Sequence, residues 1–155
     1  MKILLLTTIA MLSTIPAGAA EPPKTDAAPE GLDCFANLTA PEFPMDALRA
    51  RVDGDAWVNI QVNSGGAIDK VETQVVSAWS SAAKLLTAPV EKAVRAATFK
   101  PACYGRTVST VFRYQLYGDP VANPQATSKA DGPRMMLIQS QPAVATNSTA
   151  KSAAK

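Results

Sequence analysis

Two cysteines, Cys34 and Cys103, and a Ser-x-x-Lys spacing at Ser81 and Lys84 are the features of this sequence whose residue types could do chemistry. The 155-residue chain has no histidine, which excludes His-based general acid–base catalysis, His-containing triads and His-ligated metal sites. Two cysteines cannot complete a four-cysteine zinc or iron–sulfur site within one chain. No Cys-x-x-Cys motif supports thiol exchange. Ser81 and Lys84 match one nucleophile–base spacing, but its companion motifs are missing, and Ser80, Asp69 and Glu72 join no catalytic pattern. With 15 Lys+Arg against 13 Asp+Glu, a formal charge of +2 gives no concentrated basic surface for nucleic acid. What remains is a binding or structural module rather than an enzyme, with no cofactor and no metal.

The chain that must position these residues begins with an export signal. Lys2 supplies a positive start, Ile3–Ile15 an apolar run, Pro16 a break, and Ala17-Gly18-Ala19 a small-x-small cleavage site. Residues 1–20 therefore read as a signal peptide and the protein as exported. The alternative is an uncleaved membrane anchor. A spanning helix wants about 20 apolar residues, and this stretch approaches that length only by counting Pro16 and Gly18, with acidic Glu21 following. Export makes the even cysteine pair a disulfide, Cys34–Cys103, with two free buried thiols as the alternative. On the chain-entropy model such a bridge stabilises by about 4 kcal/mol.

Residues 21–33 are rich in Pro, Ala and charge and read as a flexible leader; residues 119–155, dominated by Ala, Ser, Thr, Pro and Lys, read as a low-complexity, largely disordered tail. One apolar run interrupts the tail: Met135–Ile138 either docks on the domain as an added strand or has no partner. The folded unit is expected over residues 34–118, with no internal repeat. Val58, Ile60 and Val62 alternate with Trp57, Asn59 and Gln61, which makes Ala56–Val62 a half-buried strand. Asn63-Ser64-Gly65-Gly66 turns it into a second strand at about Ile68–Val76. Leu86, Val90, Ala93, Val94 and Ala97 then share a helical face, with Thr87 or Ala88 as N-cap and Pro89 in the first turn. Pro101 ends that helix. A third strand follows at about Thr107–Leu116. The fold class is α+β: a small three-stranded antiparallel sheet with one packed helix, ordered β-β-α-β and flanked by disordered segments. Trp57 lies opposite Val58 and Ile60, where it is either exposed for contact or covered; packing is the commoner use of tryptophan.

Pro41-Glu42-Phe43-Pro44, Ala47, Gly54 before Trp57–Val62, the Gly65-Gly66 hairpin, Val90–Ala97 and Phe99-Lys100-Pro101 together resemble the TonB C-terminal domain over about residues 38–117. The resemblance implies a periplasmic domain of Gram-negative envelope transport. Such domains take hold of a TonB-dependent outer-membrane receptor's N-terminal segment by strand addition, and homodimers are a further partner expectation. It also implies that the third strand is the docking edge, with Val111, Arg113 and Gln115 as partner-binding residues and Arg113 steering an acidic segment. That edge is either open or covered by the chain's own Met135–Ile138. The sequence departs from a full energy transducer in having no histidine and only a short stretch before the domain, about 50 Å when extended. The expected function is an exported protein-binding module; a membrane-anchored short transducer is the alternative.

Overall fold

The computed structural model describes residues 29–77 and 83–145. The expected signal peptide, Ser80 and Ser81 lie outside them. After a 3₁₀ turn at Gly31–Cys34 the elements are β1 (Phe35–Asn37), α1 (Met45–Ala50), β2 (Gly54–Val62) and β3 (Ile68–Val76). Then come α2 (Ala83–Arg95), β4 (Thr98–Phe99), β5 (Thr107–Leu116), β6 (Thr127–Ala130) and β7 (Met135–Ser140). The main sheet has five strands in the order β3-β2-β5-β7-β6, and β1 pairs with β4 in a separate two-stranded sheet.

The alternating sequences form the strands they predict. In β2, Val58, Ile60 and Val62 are buried and the residues between them are exposed. Opposite them across the antiparallel ladder stand Thr73, Val71 and Ile68 of β3, and Thr110 and Val108 of β5. The β2–β3 turn is organised by Asn63, whose Oδ1 accepts from the Gly65 and Ala67 amides at 2.9 and 3.0 Å. This is the local side-chain bonding that makes Asn a turn residue.

Leu86, Val90 and Val94 of α2 are fully buried. Four-residue spacing puts them on one stripe, facing the apolar side of β2 and β3. The helix begins earlier than the sequence suggests. Pro89 lies inside it rather than in its first turn, so the expected cap at Thr87 or Ala88 is not formed there. Proline lacks the N–H that would bond to the Leu85 carbonyl. Beyond the helix, Phe35 and Phe99 stack at 4.8 Å across the small sheet, and the Cys34–Cys103 disulfide closes beside them. Phe43 meets Tyr114 edge-on at 5.0 Å. These contacts join the small sheet and the α1 region to one core.

The three-stranded antiparallel expectation is overturned: the main sheet has five strands and is mixed, because β7 runs parallel to β5 while the other pairs are antiparallel. The two extra strands come from the stretch read as a disordered tail. Low-complexity composition misled because β6 (Thr-Ser-Lys-Ala) needs no apolar residue of its own. It is fully exposed and is held by backbone pairing to β7. Ile138 is 1% exposed and belongs to the core, and Ala143 joins it beside Leu48, whose carbonyl accepts from the Ala143 amide at 3.2 Å. The folded unit therefore continues well past residue 118.

Candidate strand-addition edge

β5 is the central strand of the sheet, and its two sides differ. One side pairs with β2 from Gly54↔Tyr114 to Gln61↔Thr107. The other pairs with β7 from Val111↔Met135 to Leu116↔Ser140. On that second side the Val111 N–H donates to the Arg134 carbonyl at 2.8 Å, and the Tyr117 N–H donates to Ser140 at 3.1 Å. Strand alternation turns the Arg113 and Gln115 amides the same way. Val111, Arg113 and Gln115 are thus the residues whose backbone faces this edge. Of the two states anticipated for it, open or covered by Met135–Ile138, the structure has the covered one.

Their side chains lie on the face of the sheet opposite α2. Val111 is 9% exposed in a cross-strand row with Trp57 and Met135. Arg113 donates twice to Asp55, Nε to Oδ1 at 2.8 Å and Nη2 to Oδ2 at 2.7 Å. That bond and the carboxylate charge raise the guanidinium pKa. Arg113 is therefore spent on a cross-strand pair, and its expected role of steering a partner is not one its geometry leaves free. Gln115 accepts from Gln139 at 3.0 Å. Trp57, 53% exposed, stands on this uncovered face.

The opposite face carries the specificity of the pairing. Met136 is opposite Phe112, Ile138 opposite Tyr114 and Ser140 opposite Leu116. Phe112, Tyr114, Ile138 and Ser140 are at most 1% exposed. Burial pushes the Tyr114 phenol well above its ordinary pKa of 10.0, and its hydroxyl has no hydrogen-bond partner among the described residues.

A second element grips the same strand from a distance. The Leu32 N–H donates to the Pro133 carbonyl at 2.6 Å, and the Arg134 guanidinium pairs with Glu30, Nε to Oε2 at 2.9 Å. Gly31 sits at φ +54° with the position of a Cβ only 2.5 Å from the Pro133 oxygen, so glycine is required both for the backbone and for the close approach. The disulfide, with Cα atoms 5.6 Å apart, fixes this turn to the segment after β4. Sequence reasoning found the cysteines but not Glu30, Gly31 or Arg134; no local pattern links residues separated by about a hundred positions.

Elsewhere the described residues hold no cluster of three or more His, Cys, Asp or Glu arranged for a metal, and no helix among them is long and apolar enough to cross a membrane. Lys84 lies exposed at the start of α2. What the β5 edge can do is accept an extended segment through its backbone groups.

No curated protein and no solved structure matches the chain. Residues 39–116 match the family described as the Gram-negative bacterial TonB protein C-terminal, a stretch that begins just after β1 and closes on the last residue of β5. The chain therefore belongs to the TonB C-terminal family of envelope-associated, non-enzymatic protein-interaction domains.

Proposed function

We propose that the protein is an exported periplasmic module that takes an extended segment of an outer-membrane transport protein as an added strand on β5. The observation that carries this reading is the state of that edge. It supports a six-residue parallel pairing with an apolar segment lying beyond the family's own boundary. Backbone groups supply the attachment, and Phe112 and Tyr114 form the apolar floor on which alternate side chains rest. The partner class follows from family membership. The cleaved signal at residues 1–20 and the disulfide suit an oxidising envelope compartment.

The test is a titration of fluorescently labelled N-terminal segments of TonB-dependent receptors from the same envelope against the full chain. Substituting proline at both Val111 and Arg113 removes two of the three amides that face the edge. Binding should be lost along with the chain's own β7 pairing, which uses the same amides, while the β2–β3 hairpin and α2 are retained. Receptor binding that survives in the folded double variant would end the reading. Export is checked by the intact mass from the native host, which should lack residues 1–19 or 1–20 and rise by about two hydrogens on reduction.

A further inference from the structure

We infer that residues 133–141 are a tethered stand-in for the partner segment, held on β5 by the Glu30–Cys34 turn and exchanged for the partner when it binds. The inference rests on strand capture at β5 and adds what the captured segment must look like and what it must displace.

Three observations point the same way. First, β7 lies outside the family domain, which ends at residue 116, and so does the turn that grips it. Second, β7 is the parallel member of an otherwise antiparallel sheet. Consecutive strands joined by a short hairpin pair antiparallel, whereas a parallel strand needs a long connection. Here that connection runs through residues 117–134 and includes β6. Third, the start of β7 is secured by contacts concentrated at Pro133 and Arg134. Its far end is held as well, by the Tyr117 N–H on the Ser140 carbonyl and the Ala143 N–H on the Leu48 carbonyl, so the segment is clasped at both flanks and stays tethered beside the edge when its pairing is exchanged.

The seated strand also specifies its competitor. A segment that replaces it runs parallel to β5 and carries aliphatic side chains two residues apart, over Phe112 and Tyr114. A small residue two positions further on takes the place of Ser140, which is completely buried. On the other face a side-chain amide suits the position of Gln139, which bonds Gln115. A charge at the Ile138 position would be driven into the core.

The experiment uses the full chain and a labelled synthetic peptide with the sequence of residues 133–141. Wild type is compared with Ile138→Lys, which disables the chain's own strand, and with Gly31→Ala, which leaves β7 intact and strains the turn that holds it. A tethered segment acts at an effective concentration on the order of 1 mM. Against an intrinsic Kd of about 10 µM it weakens an outside peptide roughly 100-fold. The Ile138→Lys chain should therefore bind the peptide about 100-fold more tightly than wild type, and Gly31→Ala should fall between them. The same peptide with lysine at the Ile138 position should not bind. Near-ultraviolet circular dichroism reports whether Ile138→Lys keeps its core; where it does not, Gly31→Ala carries the comparison.

Equal affinity in wild type and both variants, or no binding to a folded variant, overturns the inference. Receptor segments distinguish this failure from failure of the parent reading. Proline-sensitive receptor binding that neither variant strengthens removes the tethered competitor alone. Receptor binding that ignores the prolines removes strand capture at β5 itself.

Discussion

The two neighbours of β5 were made by different means. β2 is coded by strict alternation, is joined to β3 by an Asn-organised hairpin, and buries Val58, Ile60 and Val62 beneath α2. β7 arrives after a long connection and runs in the opposite sense to β2, yet it also reaches the core through Ile138. It is retained by a turn near the other end of the chain and by the disulfide that anchors that turn. The first arrangement propagates from local pattern. The second is a set of long-range attachments laid over a finished sheet, so the two should respond differently to perturbation.

The largest separation is expected from the disulfide. Replacing both cysteines, C34S/C103S, should lower global stability by about 4 kcal/mol on the chain-entropy model, measured from the urea midpoint at constant m-value. Hydrogen exchange should show the β7 amides losing protection before those of β2 and β3, because the released turn is what holds Pro133 and Arg134. Uniform loss of protection across all strands would mean that the tail is as integral as β2.

Next in size is a matched pair of truncations. Ile60 on β2 and Ile138 on β7 are at most 1% exposed. Ile60→Ala should cost roughly 2–5 kcal/mol in the main unfolding transition. Ile138→Ala should cost that transition less than half as much, with the remainder appearing as faster exchange in residues 135–140. Undocking of β7 is then a sub-global opening rather than complete unfolding. Equal effects on the main transition would merge the two regions into one cooperative unit.

The same division explains what could be read from the sequence. β2, β3 and β5 were legible because alternation with period two is a strong signal, and Ile68–Val76 and Thr107–Leu116 are found at the expected bounds. The apolar stripe of α2 was equally plain; its start was not, because Pro89 suits a first turn and was assigned there. α1 escaped because its six residues bury only Ala47 and Leu48. β1 and β4 are too short to carry a period. β7 was visible as an apolar run with two possible fates, and only the three-dimensional pairing decides between them. At the candidate site, Val111, Arg113 and Gln115 come from the family resemblance, because alternation along β5 does not say which of its two sides takes a further strand. The Asp55 partner of Arg113 and the grip of Glu30 on Arg134 are pairings across the fold, for which sequence spacing holds no signal.

The smallest expected effect sharpens the comparison at the point where the two regions meet. Tyr114 is on β5, directly opposite Ile138, with its ring against Phe43 and its buried hydroxyl lacking a partner among the described residues. Removing a buried unsatisfied polar atom while keeping the ring should stabilise, so Tyr114→Phe is expected to raise stability by about 1 kcal/mol. The pH dependence provides an independent sign. The folded phenol has a raised pKa, so between the ordinary tyrosine value and the raised one the unfolded chain has already lost the proton that the folded chain keeps. Its stabilising contribution is fully present below pH 10 and is lost as pH climbs through the folded value. Wild type should therefore weaken in alkali more steeply than Tyr114→Phe, as followed by urea midpoints from pH 8 to 11. If β7 leaves the edge readily, water reaches the phenol and the shift shrinks. Ile138→Lys should then bring the wild-type alkaline slope close to that of Tyr114→Phe. An unchanged slope in a folded Ile138→Lys chain would mean that burial of Tyr114 belongs to the β2 side and Phe43, and that the tail does not seal the core.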